Sequence, residues 1–317
     1  MRALATALVL GVVLLAGGCG DEEGASAAGD LVQGRLGDLD GTSHTLLLPN
    51  GELTVVITDG QDSVGATQAA DGQEHEAPDG THWLGLDWRL DPGAGFDPLQ
   101  RTLMEDAGQG TGLALVTEDT SVDLGEAPGS TSTPADTRTS GTVYVAVDTE
   151  ADPVVEVSFD GVTTSLDTGT GEISGDQAAA LTDLEAPIAD DCPPLRGTRT
   201  TAAVACTYVV TQVPYLAGSG WSADGWTVAQ VDTRADTFTR GGATYEVQGT
   251  EDASAFADAP DGDSTVVDER LDSLVARIVT EGPMTQLDIV RVLTGVRTDG
   301  EGPDDATVEL AATVDLP

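Results

Sequence analysis

The chain has 317 residues and a formal charge of −42 at pH 7, from 55 acids against 13 bases. Such a surface repels nucleic acid and anionic headgroups, which need a basic patch, so no nucleic-acid partner is expected. Apolar residues make up 39% and aromatics 4%; that supports about two packed domains with cores of Val, Leu and Ala, and excludes a multispanning membrane protein.

The chain opens "MRALATALVLGVVLLAGGCG". Arg2 is followed by an uncharged run from Ala3 to Gly18 that ends in small residues, the pattern of an export signal. A spanning helix needs about 20 apolar residues, and no basic stop cluster follows this run. "LAGGC" (Leu15 to Cys19) resembles the lipobox of bacterial lipoproteins, with Ala16 where a leucine is usual. The resemblance implies cleavage before Cys19 and a diacylglyceryl group on its sulfur; the alternative is ordinary secretory cleavage. Two or more acyl chains anchor stably, whereas one is marginal. The bilayer is then a partner through Cys19, and the protein sits on the outer face of the cell membrane. The next residues, "GDEEGASAAGD", read as a polar tether.

The body of the chain alternates. "GELTVVITDG" (51–60) is a short apolar run between glycine turns. In "THWLGLDWRL" (81–90), His82, Leu84, Leu86, Trp88 and Leu90 fall on one side, and Trp83, Gly85, Asp87 and Arg89 on the other. "GTVYVAVDT" (141–149) places Val143, Val145 and Val147 on one face. "PVVEVSFDGVTTSLDTG" (153–169) reads as two strands about an Asp160-Gly161 turn, and "TVELAATVDL" (307–316) alternates throughout. Period-two patterns broken by Asp-Gly and Gly-rich turns signal antiparallel β structure.

Helical signals are few. "SGDQAAALTDLEAP" (174–187) predicts a helix with Ser174 as cap and Pro187 as stop. "RLDSLVARIVTEG" (270–282) fits either period. A weak internal repeat selects a strand there: residues 141–169 align with 273–300, and 83–96 with 226–238.

There are three cysteines, an odd number for an exported protein. With Cys19 lipidated, Cys192 and Cys206 are left to pair in an oxidising compartment. Closing so short a loop contributes roughly 3 kcal/mol.

No cofactor or catalytic residue is indicated. The G-x-S-x-G elbow is absent, and "AGSGWS" (217–222) reads as a glycine turn. His44, His75 and His82 are the only histidines. Glu74, His75, Glu76, Asp79 and His82 lie close together, yet their spacing matches no zinc pattern. "DAPDGDSTVVDE" (258–269) fails the EF-hand register, because Pro260 falls third and Gly262 fifth. Trp221 and Trp226 flank a turn and suit either packing or a small exposed patch.

The arrangement resembles the immunoglobulin-like modules of bacterial surface lipoproteins, with Gly141-Thr142-Val143 in the closing strand; the usual inter-sheet disulfide spacing is missing. The expected fold is mainly β: two tandem antiparallel β-sandwich (immunoglobulin-like) domains with a short helical connector. The expected division is a signal peptide (1–18), a lipidated N-terminus and tether (19–30), sandwich 1 (31–172), a connector helix (173–190) and sandwich 2 (191–317). The expected function is a non-catalytic binding or structural module with an envelope or extracellular partner. The alternatives are an extracellular hydrolase without a recognisable motif and a divalent-cation-binding surface protein.

Overall fold

The computed structural model describes residues 28–316, apart from 36, 38, 106–109, 119, 128–139, 150–151, 250–253, 258–262 and 270–272. The signal peptide and Cys19 therefore lie outside the described residues. The fold is mainly β, with 63% strand and 5% helix.

In chain order the first half contains β1 (Leu31–Gln33), β2 (Thr42–Leu48), β3 (Gly51–Ile57), β4 (Ser63–Val64), β5 (His75–Glu76) and β6 (Thr81–Pro92). A short helix, α1 (Pro98–Met104), comes next. It is followed by β7 (Thr111–Val116), β8 (Ser121–Ala127), β9 (Ser140–Asp148), β10 (Val154–Phe159), β11 (Val162–Asp167) and β12 (Ile173–Ser174). Helix α2 (Asp176–Thr182) leads into β13 (Ile188–Asp191), β14 (Thr200–Ala202), β15 (Ala205–Leu216), β16 (Gly220–Arg234), β17 (Thr237–Arg240) and β18 (Ala243–Gly249). The chain closes with β19 (Ser254–Ala257), β20 (Asp263–Glu269), β21 (Ser273–Glu281), β22 (Gln286–Asp299) and β23 (Asp305–Asp315).

Two five-stranded sheets, β1-β9-β6-β3-β2 and β12-β11-β10-β7-β8, form the first half. Their inward positions meet in one core: Leu53, Val55, Leu86 and Val145 from one sheet, Leu113, Leu115, Val155 and Val157 from the other. This is a sandwich-like packing, in which period-two alternation buries one face of each sheet. The turn at Asp160-Gly161 has both residues at positive φ, 46° and 78°. That backbone twist matches the strands it joins, so β10 folds directly onto β11 with Phe159 opposite Val162.

The first sheet is buried on both faces. Leu84, Leu86, Trp88 and Leu90 face the main core. Trp83, Tyr144 and Ala146 pack on the other side against Val64 and Ala69. The Trp83 indole N–H donates to the His75 carbonyl at 3.1 Å, which pins the 58–80 segment over that face.

The second half has a five-stranded sheet, β13-β15-β16-β21-β20, and a six-stranded one, β14-β17-β18-β22-β19, with β23 paired to β22. Their shared core includes Val210, Ala229, Val231 and Ile278 against Phe238, Tyr245, Leu287 and Leu310. Within the ambiguous stretch at 270–282, Ser273–Glu281 form a strand, β21: Ala276, Ile278 and Thr280 are buried while Val275, Arg277 and Val279 are half-buried. The aligned segments also occupy matching places. β6 lies between β3 and β9, and β16 lies between β15 and β21.

Two local expectations are corrected. The helix after β12 runs only over Asp176–Thr182, and its N-cap is Gly175 at φ 129°, with no side-chain cap. Ser174 ends β12 instead, because it pairs with Ser165 of β11. Helix α1 was not expected. Asp97 accepts from the Leu99 N–H, Gln100 reaches back to the Asp97 N–H, and Pro98 starts the first turn; together these satisfy N–H groups that a helix start leaves open.

Candidate functional site

Beside β15, where the two halves meet, is a cleft of about 780 Å³. Its origin is local. β13 pairs with β15 only from Ile188↔Val210 to Asp191↔Thr207. Before Ile188 the chain belongs to the segment 183–187, and β15 continues past Val210 to Leu216. Five consecutive β15 residues, 210–214, therefore line one side of the cleft, and residues 183–186 with Ile188 line the other.

Pro214 has no N–H to give to a ladder. The β15–β16 register shifts between Val213 and Tyr215, whose partners are Trp226 and Trp221. The four intervening residues of β16, 222–225, loop out as the third wall. Hydrogen bonds hold that loop: the Gln212 amide donates to the Asp224 carbonyl at 3.2 Å, and the Gly282 N–H to the Gly225 carbonyl at 2.7 Å. Ser222 Oγ donates to Glu281 Oε1 at 2.9 Å, and Thr227 Oγ1 to the Gly282 carbonyl at 2.6 Å. Met284, Val210 and Leu316 supply apolar surface within the cleft.

The charged side chains lining the cleft are Asp183, Glu185 and Asp224. Among the described residues no arginine or histidine lines it. The potential inside is therefore negative, and an anionic ligand is disfavoured. Ser222 has a carboxylate as its partner, with no histidine within the lining to act as base. The lining therefore holds no serine–histidine pair.

The cleft is backed by α1. Gln100 is 4% exposed. Its Nε2 donates to the Glu185 carbonyl at 2.7 Å and to Thr211 Oγ1 at 3.3 Å. Around it, Met104, Phe159, Leu181, Val213 and Tyr215 form a cluster shared by both halves.

Cys192 and Cys206 form a disulfide, with Cα atoms 5.3 Å apart. It ties the end of β13 to the start of β15, alongside a Cys192 N–H to Cys206 carbonyl bond of 3.0 Å. The tryptophans of the 221–226 stretch point into packing. Trp221 donates to the Phe159 carbonyl at 3.0 Å and meets Tyr215 edge to face at 5.2 Å. Trp226 donates to the Gly220 carbonyl at 2.9 Å.

The histidine-containing segment is not gathered into a metal centre. His75 Nε2 lies 3.0 Å from Asp71 Oδ2. Among the described residues no group of three or more His, Cys, Asp or Glu side chains could hold an ion. Of the 258–269 segment, residues 258–262 fall outside the described residues. Two residues escaped the sequence reading. Gln100 had a usable signal in "DPLQ", a capping box with proline at its first turn. Arg291, fully buried and the one charged residue among the described buried set, had none, since it simply occupies an inward position of β22.

No protein-family model matches the chain, and no curated protein or solved structure is significantly similar to it.

Proposed function

We propose that the chain is an exported bacterial lipoprotein, held on the outer face of the cell membrane through acyl chains on Cys19. Its two sandwiches are tandem immunoglobulin-like domains, and they act as a non-catalytic module that binds an envelope or extracellular partner. The cleft beside β15 carries the binding part of this reading. It is concave and part apolar, its polar groups converge, and no serine–histidine pair lines it. The matching places of β6 and β16 support the tandem arrangement. The export signal and the lipobox-like "LAGGC" support the anchor.

Intact mass of the chain from the membrane fraction tests the anchor. The expected result is a chain beginning at Cys19 with its acyl chains, and a Cys19→Ala protein released from the membrane. A Cys19→Ala protein that stays bound contradicts it.

A further inference from the structure

We propose that the cleft accepts an extended, basic peptide segment that adds to the open edge of β15 beyond Val210. The inference rests on the reading of this cleft as the binding site, and it names the partner's chemistry.

The first observation is the vacated lane. In an antiparallel sheet each strand offers hydrogen-bonding groups to both sides. β15 uses one side for β16 along its length, and the other for β13 only as far as Val210. From Thr211 to Pro214 that second side faces the cleft rather than a neighbouring strand; beyond it α1 closes the strand end, where the Ala217 N–H donates to the Leu103 carbonyl at 2.9 Å. The segment that would have continued β13 is held to α1 instead, through its Glu185 carbonyl and Gln100. An exposed strand edge is a template for another chain, and peptide recognition by strand addition uses such edges.

The second observation is charge. β13 itself carries Asp190 and Asp191, both exposed, which discourage pairing on its own outer edge. The vacated lane has no charge within 210–214, where the residues are Val, Thr, Gln, Val and Pro. Its acids stand around it instead, with Asp183 and Glu185 on one wall and Asp224 on the loop opposite. A strand placed there would offer alternate side chains to the Met284 and Leu316 surface and to these carboxylates. That favours a segment alternating apolar residues with lysine or arginine.

The probe is an acetylated, amidated hexapeptide alternating lysine and valine, titrated by fluorescence anisotropy against the full-length protein in detergent. Saturable binding is expected. It should weaken about tenfold with glutamate in place of lysine, and about tenfold when alternate backbone nitrogens are methylated. The triple variant Asp183→Asn, Glu185→Gln, Asp224→Asn should weaken it by about tenfold without a change in melting temperature, because all three residues are exposed. A control triple variant at exposed acids elsewhere, Asp232→Asn, Glu301→Gln, Glu309→Gln, should bind as the parent does. Absence of saturable binding overturns the proposal. So does an equal loss in both triple variants, which would mean diffuse attraction, or indifference to backbone methylation. The same titration on Cys19→Ala protein separates this inference from the anchor. A chain that lacks acyl groups yet binds supports the cleft, and an acylated chain that does not bind overturns it.

Discussion

Gln100 and Glu185, far apart in sequence, are joined by a 2.7 Å hydrogen bond from the glutamine amide to the glutamate's carbonyl. The same Nε2 reaches Thr211 Oγ1 in β15, and the Gln100 Oε1 closes the cap of α1. One buried side chain from the first half therefore sets the position of two walls of the cleft.

Gln100→Ala removes these bonds and leaves the Glu185 carbonyl and the helix cap unsatisfied. The expected cost is about 2–4 kcal/mol, from a buried unsatisfied group plus a lost cap. Denaturant unfolding measures it. A loss within about 0.5 kcal/mol would mean that the junction is held by the Met104–Phe159–Tyr215 cluster alone.

The Cys192–Cys206 bridge closes a short loop at a sequence separation of 14. In the chain-entropy model it contributes about 3 kcal/mol. Unfolding with and without reductant should differ by that order, and non-reducing peptide mapping should recover the two cysteines linked. Free thiols at both positions would contradict the structure.

Two glycines separate backbone strain from crowding. Gly161 has φ 78°, and nothing lies within 4 Å of where a Cβ would stand. Gly161→Ala should cost about 1 kcal/mol, through the left-handed backbone alone. At Gly295 a Cβ would meet the Glu246 carbonyl oxygen at 2.7 Å and Phe238 Cε1 at 2.8 Å. Gly295→Ala should therefore cost more than Gly161→Ala, because a packed core has to move. The reverse order would contradict the assigned β18–β22 packing.

The Asp167 carboxylate accepts from the backbone N–H and hydroxyl of Thr170 and from the Gly169 N–H, which hold it below its ordinary 3.8. A lowered folded value means that this contribution is present above 3.8 and is lost as pH falls through the folded value. An NMR titration of the side chain should show a midpoint below 3.8, and Asp167→Asn should flatten that part of the acid dependence. A midpoint above 3.8 would contradict the turn geometry.

The strands were legible where one residue type repeated at period two. Val143, Val145 and Val147 fall on the core face as alternation requires, and Asp160-Gly161 announces its own turn. The cleft was not legible, because it depends on a strand that stops. Pro187 in "LEAPIADD" signals a break in any ladder, but not where the chain before it goes; that depends on Gln100, more than eighty residues earlier, holding the Glu185 carbonyl. Trp221 and Trp226 were open to two readings from sequence, because exposure is a tertiary property; Phe159 and Gly220 provide the carbonyls that turn them inward. Arg291 illustrates the same limit, since burial at an inward β22 position follows from register, which composition does not encode.

Amide hydrogen exchange along β15 tests the central claim, that the cleft is a vacant strand position, most directly. With the lysine–valine hexapeptide bound to the full-length protein, exchange should slow in alternation along Thr211–Val213 and stay unchanged at the β8 and β12 edges. Unchanged exchange at Thr211–Val213, or uniform slowing at all edges, would contradict it.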